Sequence, residues 1–147
     1  MRIAIGSDHR GVDLKAGLVG FLKKRDIVVL DKGPDSKQSC DYPDYAGAVC
    51  KSVQAGETDL GIVICGSGIG VSITANKFNG IRCALAYCTE VAGFARRHNN
   101  ANVLALGADF VSLEHAKARV SAWLDAEFEG GRHQRRIDKI TALEKSS

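Results

Sequence analysis

The sequence predicts a three-layer α/β fold in which helices cover both faces of a doubly wound, five-stranded parallel sheet. Short aliphatic runs alternate with longer segments of helical periodicity, and this alternation implies parallel strands joined by right-handed crossovers. Two of the runs are apolar throughout, as in strands that are covered on both faces. The 147 residues fit one domain, residues 1–147, with a single sizeable core.

The five predicted strands are short. They lie at residues 2–5, 27–30, 60–64, 83–87 and 103–106. The third and the last are the runs that are apolar throughout. We expect the flavodoxin-like (Rossmann-like) order 2-1-3-4-5, in which a ligand binds beyond the carboxyl ends of strands 1 and 3, where the strand order reverses.

The segments between the strands carry apolar residues at helical spacing, as at Leu14, Leu18 and Leu22 in the first of them. Further helices are predicted over "YAGAVCKSVQAG", "TEVAGFARRH" and "SLEHAKARVSAWLDAEF", and a short one begins near Gly70. Residues 32–45 contain both prolines and are predicted to form a loop.

A polar helical tail, residues 130–147, begins within the helix-breaking "EGG" at the end of the last long helix. A core helix would carry more apolar residues, so we expect this tail to pack on a partner subunit. Arg132 and Arg136 are four residues apart with His133 beside them, and two guanidinium groups at that spacing can clamp a phosphate. The alternative is an ordinary solvated helix face.

Composition excludes several classes of protein. The formal net charge is only +3 and the basic residues occur in short groups, which does not favour nucleic acid as a partner. No stretch approaches the roughly 20 apolar residues of a membrane span, and an acid follows the N-terminus too closely for a signal peptide. The five cysteines are odd in number and form no CxxC pair, which argues against a disulfide framework or a zinc site. We expect a cytoplasmic protein.

The glycine-rich stretch "CGSGIG", residues 65–70, ends the third strand and matches none of the common nucleotide or hydrolase motifs. A dinucleotide fingerprint would require glycine in place of Val71. A nucleophile elbow would require glycine in place of Cys65, and no P-loop pattern occurs in the chain.

What remains is a loop whose glycines allow backbone N–H groups to converge, followed by a helix N-terminus. Such a loop is a site for an anion or an oxyanion. A thiol at its edge is a candidate base or nucleophile, because the same dipoles favour negative charge on sulfur. The alternative for Cys65 is a small buried apolar side chain, and the residues alone leave both interpretations open.

Three further candidates lie on other segments. Asp8 and His9 directly follow the first strand, at the predicted switch point, although Asp8 could simply cap the first helix. His98 ends the fourth helix, where capping is again the alternative. A crossover helix returns the chain to the amino edge of the sheet, so His98 should lie opposite Cys65. If both act on one substrate, His98 comes from another subunit.

Five segments together, "GSDHRG", "DYPDYA", "ICGSGIGVSITANK", "RHNNANVLALG" and "EGGRHQRRI", resemble the ribose-5-phosphate isomerase B family of sugar-phosphate isomerases. The resemblance runs in unbroken order over nearly the whole chain. It implies a flavodoxin-like fold and a homodimer or dimer of dimers with shared active sites. It also implies no metal or cofactor, and interconversion of ribose 5-phosphate and ribulose 5-phosphate in the pentose phosphate pathway.

The resemblance also implies roles for residues of the reacting centre. Cys65 corresponds to the base that moves a proton between C1 and C2, and Ser67 to a hydroxyl that moves protons between the two oxygens. Asp8 and His98 correspond to the groups that open the sugar ring. The anion hole for the enediolate would be formed by the loop glycines, Gly66, Gly68 and Gly70.

Away from the reacting centre, the resemblance implies phosphate contacts for His9, Arg132 and Arg136, with His133 nearby. Tyr42 and Asn99 correspond to positions that contact the sugar. Together these side chains would fix the end of the substrate that does not react.

Two positions depart from patterns found in the family. Asp109 stands where many members carry an arginine, so a phosphate contact is not carried over to that position. Some members place a glutamate base after the glycine loop, where this chain has Val71 and Ser72, so the chain resembles the cysteine-base branch.

Two alternative functions remain. One is an isomerase of a six-carbon sugar phosphate, such as allose 6-phosphate or galactose 6-phosphate. The other is a non-catalytic sugar-phosphate-binding protein. Because Cys65 and His98 occur in the same chain, a homomeric ribose enzyme is favoured over a two-component galactose enzyme.

Overall fold

The protein, for which a computed structural model describes residues 1–145, has helices on both faces of one five-stranded parallel sheet. The predicted α/β fold class is therefore confirmed. The strands are β1 (Arg2–Ser7), β2 (Val28–Asp31), β3 (Leu60–Cys65), β4 (Cys83–Leu85) and β5 (Val103–Gly107).

The predicted helices are all present. They are α1 (Val12–Lys24), α2 (Tyr42–Gln54), α3 (Ile69–Ala75), α4 (Thr89–Asn99), α5 (Leu113–Asp125) and α6 (Arg132–Lys145). The prediction that Tyr42 belongs to a loop is wrong, because α2 begins at this residue and accommodates Pro43 in its first turn. Proline suits that turn, since its missing N–H has no partner there in any case. The last two residues of the predicted tail, 146–147, lie outside the described residues.

The strand order is 2-1-3-5-4, so the predicted order of the last two strands is wrong. β5 pairs with β3 on one side and with β4 on the other. All residues of β5 are buried, whereas β4 has three residues that are all only partly buried. The longer apolar strand thus takes the position covered on both faces, and the short strand takes the edge. This order places Gly107 of β5 in register with Cys65 of β3.

The core has two parts, one on each face of the sheet. Ile62 and Ile64 of β3 pack on the side that holds Trp123. Val63 and Cys65 pack on the other side, with Val71 of α3 and several residues of α2. This alternation follows from the two-residue period of a strand. The thiol of Cys65 therefore belongs to the layer formed by α2 and α3.

α6 has a narrow apolar side. His133 and Ile137 are buried, whereas Ile140 and Leu143 are 45% and 69% exposed. None of the helices within residues 1–145 combines the length and apolar character needed to cross a bilayer.

Candidate active site

A cleft of about 580 Å³ lies beyond the carboxyl ends of β1, β3 and β5. Several residues predicted from the sequence meet there, although they come from distant segments. The lining residues are Asp8, Arg10, Tyr42, Cys65, Gly66, Ser67, Ile69, Gly70, Ile73 and Asp109.

The glycine loop folds over the thiol of Cys65. Gly68 has φ +81°, and a Cβ atom there would lie 2.6 Å from Leu85 and 2.9 Å from the backbone of Leu106. Only glycine fits this position without strain. In this conformation the backbone N–H of Gly68 donates a hydrogen bond to Cys65 Sγ over 3.2 Å. Cys65 is only 5% exposed, and that exposure faces the cleft.

Ser67 is exposed at the mouth of the cleft, and its Oγ accepts a hydrogen bond from the N–H of Ile69 over 3.2 Å. α3 begins at Ile69, one residue before the predicted start, and has only seven residues. The dipole of so short a helix is small. Negative charge at this site is therefore stabilised more by the local N–H groups of the loop than by the helix dipole invoked from the sequence.

Asp8 is buried and has the capping role that the sequence left open. Its Oδ1 accepts hydrogen bonds from the N–H groups of Arg10 (3.0 Å) and Gly11 (3.2 Å), at the start of a 3₁₀ turn, His9–Gly11. Asp8 also lines the cleft. The capping and cleft-lining interpretations therefore hold together.

His9 lies beside this turn and is half-buried. Its Nδ1 accepts a hydrogen bond from the backbone N–H of Cys40 over 3.3 Å. Because Nδ1 accepts this bond, Nε2 is the ring nitrogen that carries a proton. The side chain is thus a hydrogen-bond donor through Nε2.

An ion pair that the sequence did not predict lies against the glycine loop. Arg10 Nη2 is 2.5 Å from Asp109 Oδ2, and both side chains approach within 3.2 Å of the position a Cβ of Gly66 would occupy. Sequence reasoning identified Asp109 only as a departure from the family and did not consider Arg10. Arg10 comes two residues after Asp8, at the switch point, and this position in the sequence could have identified it as a candidate site residue.

The other predicted site residues do not line this cleft. His98 and Asn99 end α4, near the start of β5, whereas the cleft lies at the opposite end of that strand. The run from Val103 to Gly107 corresponds to about 13 Å of extended strand. The prediction that His98 lies at the edge of the sheet opposite Cys65 is confirmed.

His98 belongs to a stack of rings on the side of α4. Its ring centroid is 4.9 Å from that of Phe94 and 4.3 Å from that of His133. Glu129 Oε1 lies 3.9 Å from His98 Nε2 and 3.6 Å from His133 Nε2. Burial, followed by the charges of Arg132 and His98, lowers the pKa of His133 below its ordinary value. The stack therefore favours a neutral His133.

His98, Glu129 and His133 bring three potential metal ligands within 4.8 Å of one another. The imidazole rings of the two histidines are almost parallel, at 7°. A metal ion binds a histidine nitrogen in the plane of its ring, and one ion cannot lie in two parallel planes that are stacked apart. The arrangement suits ring stacking and a shared carboxylate, and it does not fit a metal site.

A second groove, of about 590 Å³, lies near the amino edge of the sheet. Arg82, Asn99 and Ile140 are among its lining residues. The guanidinium of Arg82 donates to the carbonyl oxygens of Asn99 (2.9 Å) and Asn100 (3.0 Å) and thereby fixes the end of α4. Arg132 and Arg136 are exposed on α6.

Comparison with known proteins identifies the family of the chain. The family model described as Ribose/Galactose Isomerase matches residues 3–140. The chain is 50% identical to ribose-5-phosphate isomerase B of Escherichia coli, over 97% of this chain and 96% of that protein.

Solved structures are similar over nearly the full length. Ribose-5-phosphate isomerase B of Clostridium thermocellum superimposes with a TM-score of 0.98, at 50% identity and 99% coverage of both chains. The Mycoplasma genitalium ribose-5-phosphate isomerase B with bound ribulose 5-phosphate superimposes with a TM-score of 0.95, at 45% identity, covering 99% of this chain and 97% of that chain. From its family model and its full-length relatives, this chain belongs to the Ribose/Galactose Isomerase family.

Proposed function

We propose that the protein is an aldose–ketose isomerase that interconverts D-ribose 5-phosphate and D-ribulose 5-phosphate, as a step of the pentose phosphate pathway. The observation that carries the proposal is the Cys65 thiol, which lines the cleft beneath the glycine loop and next to Ser67. A base beside backbone N–H donors is what proton transfer next to a carbonyl requires. The names of the relatives support the choice of substrate.

The isomerisation transfers one proton between neighbouring carbons. The Cys65 thiolate removes the proton from C2 of the open aldose, and the electron pair moves to O1 to form a cis-enediolate. Ser67 moves a proton from O2 to O1, and the Cys65 thiol returns its proton to C1 to give the ketose. No atom is gained or lost, and the thiolate is restored.

The negative charge of the enediolate is stabilised by N–H groups of the loop. Gly68 already donates to Cys65 Sγ, so it supports negative charge on the base and not on the substrate. The N–H groups near Gly66 and Gly70 are the remaining donors of the predicted anion hole. Removing one such donor typically reduces the rate about 10²- to 10³-fold.

Ring opening precedes isomerisation, because the substrate is mostly cyclic. We assign it to Asp8 and to His98 of a second copy of the chain. Both hydrogen bonds that Asp8 accepts within residues 1–145 go to Oδ1, so Oδ2 can accept a proton from the sugar hydroxyl. His98 then donates a proton to the ring oxygen as a general acid.

We also propose a homodimer, or a dimer of dimers, in which each cleft is completed by the partner. His98 lies at the edge of the sheet remote from its own cleft, and this separation supports action in trans. Ile69 and Ile73, which line the cleft, are more than half exposed. Apolar side chains at that position suit contact with a second subunit. In this arrangement α6 packs on the partner.

The remaining substrate contacts follow from the same arrangement. We propose that Arg132 and Arg136 of the partner bind the phosphate, with His133 holding the ring of His98 in place by stacking. His9 donates to the phosphate through Nε2, the nitrogen that carries its proton. Asn99 and Tyr42 contact the sugar hydroxyls.

The proposal is tested by incubating the purified protein, without added metal, with ribose 5-phosphate and following ribulose 5-phosphate. Allose 6-phosphate and galactose 6-phosphate serve as the six-carbon comparison. We expect the highest kcat/KM for ribose 5-phosphate. A higher value for a hexose phosphate would favour the six-carbon alternative, and binding of all three without conversion would favour a non-catalytic binding protein.

We propose a cytoplasmic location, where sugar phosphates and reduced thiols are maintained. The cysteines support this location because Cys50, Cys65 and Cys83 pack as reduced side chains in or against the core. Burial raises the pKa of the Cys50 thiol to about 12, which keeps it protonated and inert.

A further inference from the structure

The ion pair between Arg10 and Asp109 borders the same cleft as Cys65 but has no part in the mechanism above. Asp109 Oδ2 lies 2.9 Å, and Arg10 Nε 3.1 Å, from the position that a Cβ of Gly66 would occupy. Any side chain at residue 66 would therefore displace the pair. The guanidinium is packed against the loop that covers the proposed base.

Both members of the pair are fixed through their backbones. The N–H of Arg10 donates to the buried carboxylate of Asp8 over 3.0 Å. The N–H of Asp109 donates to the carbonyl oxygen of Gly66 over 3.0 Å, and the N–H of Ala108 donates to that of Cys65 over 2.8 Å. Because residue 109 is tied to the glycine loop in this way, the position of its carboxylate is set by the same loop that positions the thiol.

The charges of the cleft give this pair a function. Among the described residues that line the cleft, Asp8 and Asp109 are acidic and Arg10 is the one cation. A dianionic phosphate near two carboxylates would be repelled unless a cation offsets them. The Arg10 side chain is 58% exposed, and its guanidinium has five N–H donors, of which those on Nη2 face Asp109. The other donors remain available to a ligand.

We propose that Arg10 binds the phosphate group of the substrate from the same chain that supplies Cys65, and that Asp109 is the positioning residue that orients its guanidinium. This proposal rests on the proposed isomerase function for the identity of the phosphate ester. It adds a contact from the cleft side to those proposed for Arg132 and Arg136 of the partner. A guanidinium held by a carboxylate on one edge presents its other edge as a preformed fork for phosphate oxygens.

The test compares three variants, Arg10→Gln, Arg10→Lys and Asp109→Asn, with the control Arg25→Gln. Arg25 forms a similar surface ion pair with Asp125, at 2.7 Å, but does not line the cleft. Two quantities are measured: kcat and KM for ribose 5-phosphate, and the inhibition constant of inorganic phosphate. Melting temperatures are recorded for all four variants.

For Arg10→Gln we expect both KM and the inhibition constant of phosphate to rise roughly 10- to 100-fold, as for loss of a charge-assisted hydrogen bond, with little change in kcat. Arg10→Lys should recover part of this loss because it keeps the charge without the fork. Asp109→Asn should raise KM by a smaller factor, since the guanidinium remains but is no longer held. Arg25→Gln should change neither quantity.

Two results would overturn the inference. A lower melting temperature of Arg10→Gln with unchanged KM and phosphate inhibition would mean that the ion pair is only structural. A fall in kcat with unchanged phosphate inhibition would mean that the guanidinium acts at the reacting carbons.

Titration calorimetry with inorganic phosphate separates this inference from the proposed function. If the unaltered protein fails to convert ribose 5-phosphate, but Arg10→Gln still weakens phosphate binding, the isomerase proposal fails and the phosphate contact stands. If the protein is an active isomerase and Arg10→Gln binds phosphate normally, only the inference fails.

Discussion

The backbone N–H of Gly68 donates a hydrogen bond to the sulfur of Cys65 over 3.2 Å. This contact joins the turn of the glycine loop to the group proposed as the base. It requires the left-handed backbone of Gly68, which brings the N–H back over the preceding strand end. The loop thus places one N–H donor on the proposed base, while the N–H groups near Gly66 and Gly70 are the donors proposed for the substrate.

Replacing Cys65 by alanine should abolish most of the isomerisation while leaving the fold and substrate binding intact. Loss of a general base typically costs about 10²- to 10⁴-fold in rate, so kcat should fall by that factor with little change in KM. The matched control is Cys50→Ala, which removes a buried thiol that does not line the cleft. Steady-state kinetics in which both variants keep nearly normal kcat would assign Cys65 to packing alone.

Gly68→Ala should reduce both activity and stability. The added methyl group would meet Leu85 and the backbone of Leu106, and alanine is strained at φ +81°. Gly20→Ala is the control, because this glycine lies inside α1 with no atom within 4 Å of the new methyl group. That change should raise stability by about 0.5–1 kcal/mol, the usual gain in a helix interior, without affecting kcat. Denaturant unfolding and steady-state kinetics of the two variants check this prediction. If Gly68→Ala and Gly20→Ala had the same unfolding free energy and the same kcat, the strain argument would be contradicted.

Much of the site could be predicted from the sequence because the relevant signals are local. The stretches that hold Asp8 and Cys65 each follow an aliphatic strand, and the carboxyl ends of parallel strands meet at one edge of the sheet. The opposite position of His98 follows from the same topology, since a crossover helix returns to the amino edge.

What could not be predicted depends on contacts between distant segments. Periodicity identifies β4 and β5 as strands but does not indicate which of them lies next to β3. The order follows from how deeply each strand is buried, which is known only from the folded sheet. The pairing of Arg10 with Asp109 depends on that order, because β5 brings residue 109 beside the glycine loop.

The proposal that His98 acts in trans predicts complementation between two inactive proteins. Cys65→Ala and His98→Ala are each expected to be nearly inactive as homo-oligomers. When they are mixed under conditions that exchange subunits, a hybrid dimer has one site with an intact Cys65 and an intact partner His98. Part of the activity should then return, in proportion to the amount of hybrid dimer formed. Different tags on the two chains allow this hybrid to be isolated. A purified hybrid that stays inactive would contradict the shared site.

The lowered pKa of His133 predicts a specific pH dependence of stability. Since burial, Arg132 and His98 lower this pKa in the folded chain, the unfolded chain binds the proton more readily. The contribution of neutral His133 is complete above the unfolded value of about 6.5 and is lost as the pH falls through the lower folded pKa. His133→Asn should therefore lose less stability than the unaltered protein between pH 7 and pH 5.

Melting temperatures across this range check the pH dependence, with His115→Asn as the control. His115 is exposed on α5, away from the ring stack, so its replacement should leave the pH profile unchanged. If His133→Asn and His115→Asn have the same profile as the unaltered protein, the buried ring does not determine this part of the acid sensitivity.

In the proposed mechanism, Cys65 transfers one proton between C2 and C1 through an enediolate intermediate. This transfer is tested most directly by converting ribose 5-phosphate in deuterated water. Nuclear magnetic resonance would follow deuterium at C1 of the ribulose 5-phosphate formed and at C2 of the ribose 5-phosphate that remains. Because the proton on the Cys65 thiol can exchange with solvent while the enediolate is bound, we predict conversion with deuterium entering at these positions, and loss of both conversion and exchange in Cys65→Ala. Conversion and exchange that persist unchanged in Cys65→Ala would contradict the account.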